Sequence, residues 1–382
     1  MTTKTALIYL DHAAATPVDS RVLTSMRPYF AAEFYNPSAT YDAARAVRQA
    51  LEKARSQVAH WLGSRPSEII FTAGGTEANN LAIHGVMRKF PKANIVISSI
   101  EHDSVLMPAS LYECRKVRVH PDGRLDLDDL GAKLDDQTVL VSIVYASNEI
   151  GTIQPLHEVA KIIADKKAER SGKNTLPLYF HTDACQAANY LDLHVNRLGV
   201  DLLTLNGGKI YGPKQSAVLF VKAGVELQPL IDGGGQERNL RSGTENVPAN
   251  IGLGMALDIA QSSRQVESAR LLALQDQFIK LLEDKAPTAI INGSKKYRLP
   301  NNIHFSIPGQ DNERLLIQLD MVGVQAAAGS ACSARDTMPS HVLKAIGLSD
   351  EMARASLRLT MGRETTPAML EKVASELRDL TA

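Results

Sequence analysis

Cysteine is scarce in this 382-residue chain: there are three, Cys114, Cys185 and Cys332, far apart and with no CxxC pair. A disulfide framework and a zinc-finger pattern are thereby excluded, and the usage fits a reducing compartment, where a lone thiol is either packing or a nucleophile. Net charge is also lacking, with 42 Lys+Arg against 42 Asp+Glu. A nucleic-acid binder needs a cationic surplus to neutralise phosphates, so that class is set aside. No uncharged run reaches the roughly 20 residues of a membrane span. The run around Val139–Tyr145 has strand length, and Met321–Ala334 is broken by Gly323 and Gly329. The N-terminus, MTTKTALIYLDHAAATPVD, holds too short an apolar run for a signal-peptide core. Internal repeats, low-complexity tracts and long charge runs are missing too. With 44% apolar and 22% charged residues, a soluble, cytoplasmic globular protein without membrane or nucleic-acid partners is expected.

What is present is alternation. Near-continuous apolar runs at Glu68–Thr72, Asn94–Ser98, Thr138–Val144, Leu178–Thr182, Asp201–Leu205 and Ala217–Val221 read as strands buried on both faces. Between them apolar or small residues recur at helical spacing: Ala78, Leu81, Ala82, Gly85 and Val86 after Thr76, and Leu156, Val159, Ala160 and Ile163 after Pro155. This predicts an α/β domain with a mostly parallel sheet flanked by helices. From about Pro248 the texture changes to a long helical stretch, Ile251–Asp284. Short strands near Asn302–Ile307 and Val324–Ala327 follow, with helices near Asn312–Met321 and Pro367–Leu380. A large domain, residues 15–255, and a smaller α+β domain, residues 1–14 with 256–382, are expected. The polar segment Glu169–Pro177 reads as an exposed loop.

Six stretches can carry chemistry. In FTAGGTEANNLAIHG (71–85) a strand runs into a glycine turn, and a helix begins at Thr76. Free N–H groups and a positive dipole end suit a phosphate there; a plain Thr76 cap is the other reading. Neither the Walker pattern nor GxGxxG is present. In YFHTDACQA (179–187) Asp183 closes a buried strand, where an unpaired carboxylate is costly and where open α/β sheets bind ligands. A cationic ring nitrogen would keep it ionised; a helix cap is the alternative. In LLTLNGGKIYGPK (202–214) Lys209 follows a buried strand and a Gly-Gly turn. Partial burial would free its amine for Schiff-base chemistry, against a solvated loop lysine. In GGGQERNLRSGTEN (233–246) Arg238, Arg241 and Thr244 offer donors to an anion, or lie in a solvated loop. In AAGSACSARDTMPSHVLKAIGL (327–348) Cys332 sits in a small-residue loop, a better place for a nucleophile than the helical or strand-end settings of Cys114 and Cys185. In ASLRLTMGRE (355–364) Arg358 alternates with apolar neighbours; it can grip a carboxylate bidentately or make a surface ion pair.

The joint pattern resembles the cysteine desulfurases, class V members of the fold-type I pyridoxal-phosphate enzymes that supply sulfur for iron–sulfur clusters. The matching stretches run in family order from about Tyr9 to near the C-terminus: YLDHAAATPVD, NPSATY, FTAGGTEANN, EHDSVL, SNEIG, HTDACQA, NGGKIYGPK, GGGQERNLRSGTEN, GSACSARDTMPSHVLKAIGL and SLRLTMGR. The resemblance implies a fold-type I architecture, pyridoxal 5′-phosphate as cofactor, L-cysteine as substrate and a homodimer. It implies that Lys209 holds the cofactor covalently and shuttles protons, and that Asp183 pairs with the ring nitrogen. Gln186 would bond the ring 3-oxygen, and His102 would stack on the ring and assist proton transfer. Asn148 would contact cofactor and substrate carboxylate. Gly75, Thr76 and Asn206 would hold the phosphate, with Gly208 beside them and Thr244 reaching in from the other subunit. Arg358 would bind the substrate carboxylate. Cys332, in a loop like that of the long-loop branch, would take the sulfur as a persulfide and leave alanine. The acceptor implied is an iron–sulfur scaffold or a tRNA-thiolation protein. No resident metal is implied, Cys332 being at most a transient iron–sulfur ligand.

The chain departs from the family in three places. Asn206-Gly207-Gly208 stands where the family has Ser-Gly-His, which removes a phosphate contact. Glu169–Pro177 looks inserted, and the chain ends at Ala382 without the tail some members use to engage a scaffold. A class V aminotransferase or a selenocysteine lyase is the competing expectation, and a non-catalytic descendant, motivated by Gly208, is a third. Cys332 separates the first two readings, because a transaminase has no use for it.

Overall fold

A computed structural model describes residues 7–170, 176–329 and 339–381. The first strand, β1 (Ile8–Tyr9), pairs late in the chain. The central sheet is built from β2 (Ile69–Thr72), β3 (Asn94–Ser98), β4 (Glu113–Val117), β5 (Thr138–Ser142), β6 (Tyr179–Asp183), β7 (Leu202–Asn206) and β8 (Ala217–Val221). All six apolar runs form strands, with ends moved by no more than two residues. Glu68, for instance, belongs to a 3-10 turn over Pro66–Glu68 rather than to β2. The unforeseen strand is β4, whose ECRKV has only Val117 buried. It is an edge strand, and exposed charge of this kind blunts an edge against stray pairing.

The order is β2-β8-β7-β6-β5-β3-β4. Every pair from β7 to β4 is parallel, while β8 runs antiparallel to both β7 and β2. Strands β2, β3, β5, β6 and β7 therefore point the same way, and their C-terminal ends share one edge of the sheet. This is the edge at which open α/β sheets bind ligands. The helix Gly75–Lys89 buries Ala78, Leu81, Ala82 and Val86, the face its spacing predicts. The helix Leu156–Glu169 buries Leu156, Val159 and Ile163.

The helix Val247–Lys285 links two apolar cores. Its first half packs Leu253, Leu257 and Ala260 among Val22, Leu62, Phe180 and Leu203. There the helix Asp42–Leu62 crosses so closely that a Cβ on Gly254 would lie 3.1 Å from that of Ala54. Its second half packs Leu271, Phe278 and Leu282 among Ile303, Phe305, Leu357 and Leu377. This second core is covered by β9 (Ile290–Ile291), β10 (Asn302–Ser306), β11 (Val324–Gln325) and β12 (Ser356–Thr360). An antiparallel β12-β10-β9 sheet and a parallel β1-β11 pair result. Helices Asn312–Met321 and Pro367–Thr381 complete it. Ile8 and Leu10 pack into the same core, which ties the start of the chain to its end. Among the described residues no helix is long and apolar enough to cross a membrane.

Candidate active site

The loops leaving the shared edge of the sheet line a cavity of about 210 Å³. One end is formed by the glycine turn after β2. Gly75 and Thr76 open a helix whose first N–H groups have no intrahelical partner. A Cβ on Gly75 would come within 3.1 Å of Cys185 Sγ and 3.3 Å of Asn206 Nδ2, so glycine keeps this end open. Asn206 Oδ1 accepts from the Gly208 N–H at 3.0 Å, which leaves its amide hydrogens for the Gly75 side. Glu77 locks the turn, accepting from Ala73 N–H at 3.0 Å and from Arg241 Nε at 2.9 Å. Backbone donors, a hydroxyl and an amide thus converge where an anion fits.

Asp183 ends β6 and is 7% exposed. Its Oδ1 accepts from the Cys185 N–H at 2.9 Å and its Oδ2 from Asn79 Nδ2 at 2.7 Å. Both donors are neutral, so a cation in the cavity is the charge that would balance it. Lys209 ends a 3-10 turn directly after β7, and its Nζ donates to the carbonyls of Ala13 and Ala14 at 2.8 and 2.7 Å. Burial pushes its ammonium below the usual lysine range, and the nearby Arg358 cation pushes the same way. His102 caps the helix Asp103–Ala109, its Nδ1 accepting from the Ser104 N–H. Gln186 donates to the Ala13 carbonyl at 2.9 Å.

Arg358 lies inside β12 and is 1% exposed, so its ion pair is buried rather than superficial. Nη2 meets Asp11 Oδ1 at 2.6 Å and Nη1 donates to the Asn148 carbonyl at 3.0 Å, while Nε has no partner. The guanidinium is aimed before any ligand arrives and keeps donor capacity for a carboxylate. A phosphorylated ring with a basic nitrogen fits this donor set: an anion cradle, a buried carboxylate, an amine and an oriented guanidinium in one cavity.

Glu101, next to His102 in the chain, is completely buried; its Oε1 accepts from Ser98 Oγ and the Val144 N–H, both at 2.7 Å. Burial, reinforced by the charge of Asp183, pushes its carboxyl up from 4.5 to about 8. The folded chain therefore holds a proton that the unfolded chain releases above 4.5, and the stability this confers at low pH drains away as pH rises through about 8. Glu101→Gln is expected to melt like the native protein near about pH 5 and a few degrees higher near about pH 9. Parallel melting curves across that range would refute it.

The structure thus brings together Gly75, Thr76, His102, Asn148, Asp183, Gln186, Asn206, Lys209 and Arg358. Gly208 is buried backbone beside them and does not line the cavity. Thr244 is exposed and lines a separate cavity of about 160 Å³. Cys332 lies outside the described residues, but the chain on either side of it is tied beside the site. Ala327 exchanges backbone hydrogen bonds with Arg358, Ser340 Oγ donates to Glu149 Oε2 at 2.6 Å, and His341 Nε2 donates to the Glu101 carbonyl at 2.9 Å. Of the cysteines read as packing residues, Cys185 lines the cavity instead. Another cavity, about 810 Å³, opens between Tyr9, Thr16, Lys214 and Arg363 and contains none of the predicted residues.

Sequence reasoning missed Asp11, the carbonyls of Ala13 and Ala14, Asn79 and Ser104. Only Asn79 leaves a trace: it is a polar residue among Ala78, Leu81 and Ala82 on the buried side of its helix.

The aminotransferase class-V family matches residues 8–368. A cysteine desulfurase IscS of Dictyoglomus turgidum is 40% identical over 388 aligned positions, covering 98% of this chain and 96% of that protein. Among solved structures, a NifS-like protein matches with a TM-score of 0.90 at 30% identity, covering 98% of this chain and 99% of that one. SspA, solved in complex with cysteine, matches with a TM-score of 0.80 at 33% identity, over 93% of this chain and 98% of that one.

Proposed function

The chain belongs to the aminotransferase class-V family, and we infer that it is a cysteine desulfurase. It takes sulfur from L-cysteine, leaves L-alanine, and carries the sulfur as a persulfide on Cys332 to an acceptor protein, an iron–sulfur scaffold or a tRNA-thiolation protein. The observation that carries this reading is the single cavity in which Lys209, Asp183 and Arg358 meet an open glycine turn. SspA, similar over 93% of this chain and solved with cysteine, supports the substrate.

Pyridoxal 5′-phosphate, when bound, supplies an electron sink that makes the substrate α-proton and the bond to sulfur labile. Gly75, Thr76 and Asn206 would hold its phosphate, joined by Thr244 from the second subunit of a homodimer. Asp183 would pair with the ring nitrogen, Gln186 would bond the 3-oxygen and His102 would stack on the ring. Lys209 would hold the cofactor covalently and would move protons at Nζ. Its lowered ammonium leaves more neutral amine at a given pH than an exposed lysine has. Arg358, pre-aimed by Asp11 and the Asn148 carbonyl, takes the substrate carboxylate. The substrate C–S bond breaks and an S–S bond to Cys332 forms. Cysteine and an enzyme thiol thereby become alanine and an enzyme persulfide, with no external oxidant. The two apolar cores correspond to two domains in this reading, residues 15–255 and residues 1–14 with 256–382.

Gly208 bears on cofactor retention. A Cβ there would meet Lys214 Cγ at 3.4 Å, an ordinary contact, so a side chain can be added. Gly208→His is expected to tighten pyridoxal-phosphate binding by roughly 10- to 150-fold, the worth of one hydrogen bond to a charged group. Equilibrium titration of the cofactor-free protein measures it. The function itself is tested by incubating the protein with cysteine and a reductant. Sulfide and alanine in equal amounts are expected; an oxo acid in place of alanine would sink the reading.

A further inference from the structure

His102, Ser104, Asn79 and Asp183 form a continuous hydrogen-bonded chain. Asn79 Nδ2 lies 2.7 Å from Asp183 Oδ2 and 2.8 Å from Ser104 Oγ, and Ser104 Oγ lies 2.8 Å from His102 Nδ1. The Ser104 backbone N–H also reaches His102 Nδ1, at 3.1 Å. Asn79 is fully buried, and Ser104 and Asp183 are each 7% exposed, so water does not compete at the inner links.

The direction of this chain is set at both ends. A carboxylate only accepts, so the Asn79 atom facing Asp183 is its NH2 group. That group has two hydrogens, and the second goes to Ser104 Oγ. The hydroxyl, having accepted from Asn79, gives its own hydrogen to His102 Nδ1. At the far end a backbone N–H only donates, and it too points at Nδ1. Nδ1 is therefore an acceptor, and the proton of the neutral ring sits on Nε2, the nitrogen left for the cavity that His102 lines.

We propose that Asn79 and Ser104 are positioning residues that hold His102 as the neutral Nε2–H tautomer, so that it meets the reacting molecule as a hydrogen-bond donor and not as a base. A histidine base at this place would need its lone pair on Nε2 and a proton on Nδ1, facing two donors. Removal of the substrate proton then falls to Lys209. The desulfurase reading decides only what the N–H meets; the tautomer is a property of this chain alone.

The test is nitrogen NMR on holoenzyme labelled with 15N-histidine in mildly alkaline buffer, with His102 assigned by the signals lost in His102→Gln. The native protein is expected to show Nδ1 as the unprotonated nitrogen and Nε2 as the protonated one. Ser104→Ala and Asn79→Ala are expected to move both shifts toward a mixture of tautomers, and Ser104→Thr to restore them. In Ser104→Ala, kcat is expected to fall roughly 3- to 10-fold with KM little changed, the size of one lost hydrogen bond. A protonated Nδ1 in the native protein overturns the proposal, as do unchanged shifts in both alanine variants. If the protein makes no alanine from cysteine, the function fails while the NMR result still decides the tautomer.

Discussion

Cys332→Ala is expected to lower alanine and sulfide formation from cysteine by on the order of 10³-fold or more, while the visible absorbance of the bound cofactor stays. The expectation rests on where the flanking chain lies and on the failure of any other thiol to substitute. Ala327 is hydrogen-bonded to Arg358, the residue assigned to the substrate carboxylate. Cys332 follows five residues later in the chain. Cys185 lines the cavity but is wrongly tuned: burial, then the charge of Asp183, raises its thiol well above the ordinary value, so it stays protonated. Cys114 is half-buried on the edge strand β4, its thiol also raised by burial. Neither offers a thiolate at the site. Activity within about 10-fold of native in Cys332→Ala, together with its loss in Cys185→Ser, would move the nucleophile to Cys185.

Lys209→Ala is expected to lose the covalent attachment of the cofactor that borohydride fixes in the native protein, and to lower turnover by about 10³-fold or more. The backbone holds this lysine in place. Gly207 N–H bonds the Ser216 carbonyl at 2.8 Å, and the Lys209 carbonyl accepts from Asn189 Nδ2 at 2.8 Å. Gly207 is required there, because a Cβ would lie 2.2 Å from Ser216 Oγ. The Nζ is poised on the carbonyls of Ala13 and Ala14, two acceptors that hold it without neutralising it as a carboxylate would. Lys209→Arg separates charge from amine. It keeps the cation and the donors but is permanently protonated, so it is expected to be as inactive as the alanine variant. Cofactor still fixed covalently to the protein by borohydride at the native stoichiometry in Lys209→Ala would contradict the assignment.

Much of the fold is legible in the sequence because strands buried on both faces must be apolar throughout, and β3 and β8 match their runs residue for residue. The antiparallel direction of β8 is not legible, since an apolar run carries no polarity. Strand β4 hides because an edge strand needs little apolar surface, and β1 and β9 because two residues make no pattern. Asp183 and Lys209 stand out as charged residues at, or within three residues of, the ends of buried strands. Their supports do not. The Asp11–Arg358 pair joins residues 347 apart, and Asn79 reaches Asp183 across 104 residues. Such partners are set by topology, and no local spacing encodes them. The polar Asn79 on a buried helix face is the exception, because an unpaired buried amide is costly and advertises a partner.

A cysteine desulfurase of this kind moves sulfur from cysteine to Cys332. A single turnover with limiting cysteine and no reductant, followed by alkylation and mass spectrometry of the Cys332 peptide, tests it most directly. One added sulfur atom on Cys332, with one alanine formed per sulfur, is the predicted result. Alanine formed while that peptide stays unmodified, or the added sulfur found on Cys114 or Cys185, would contradict the account.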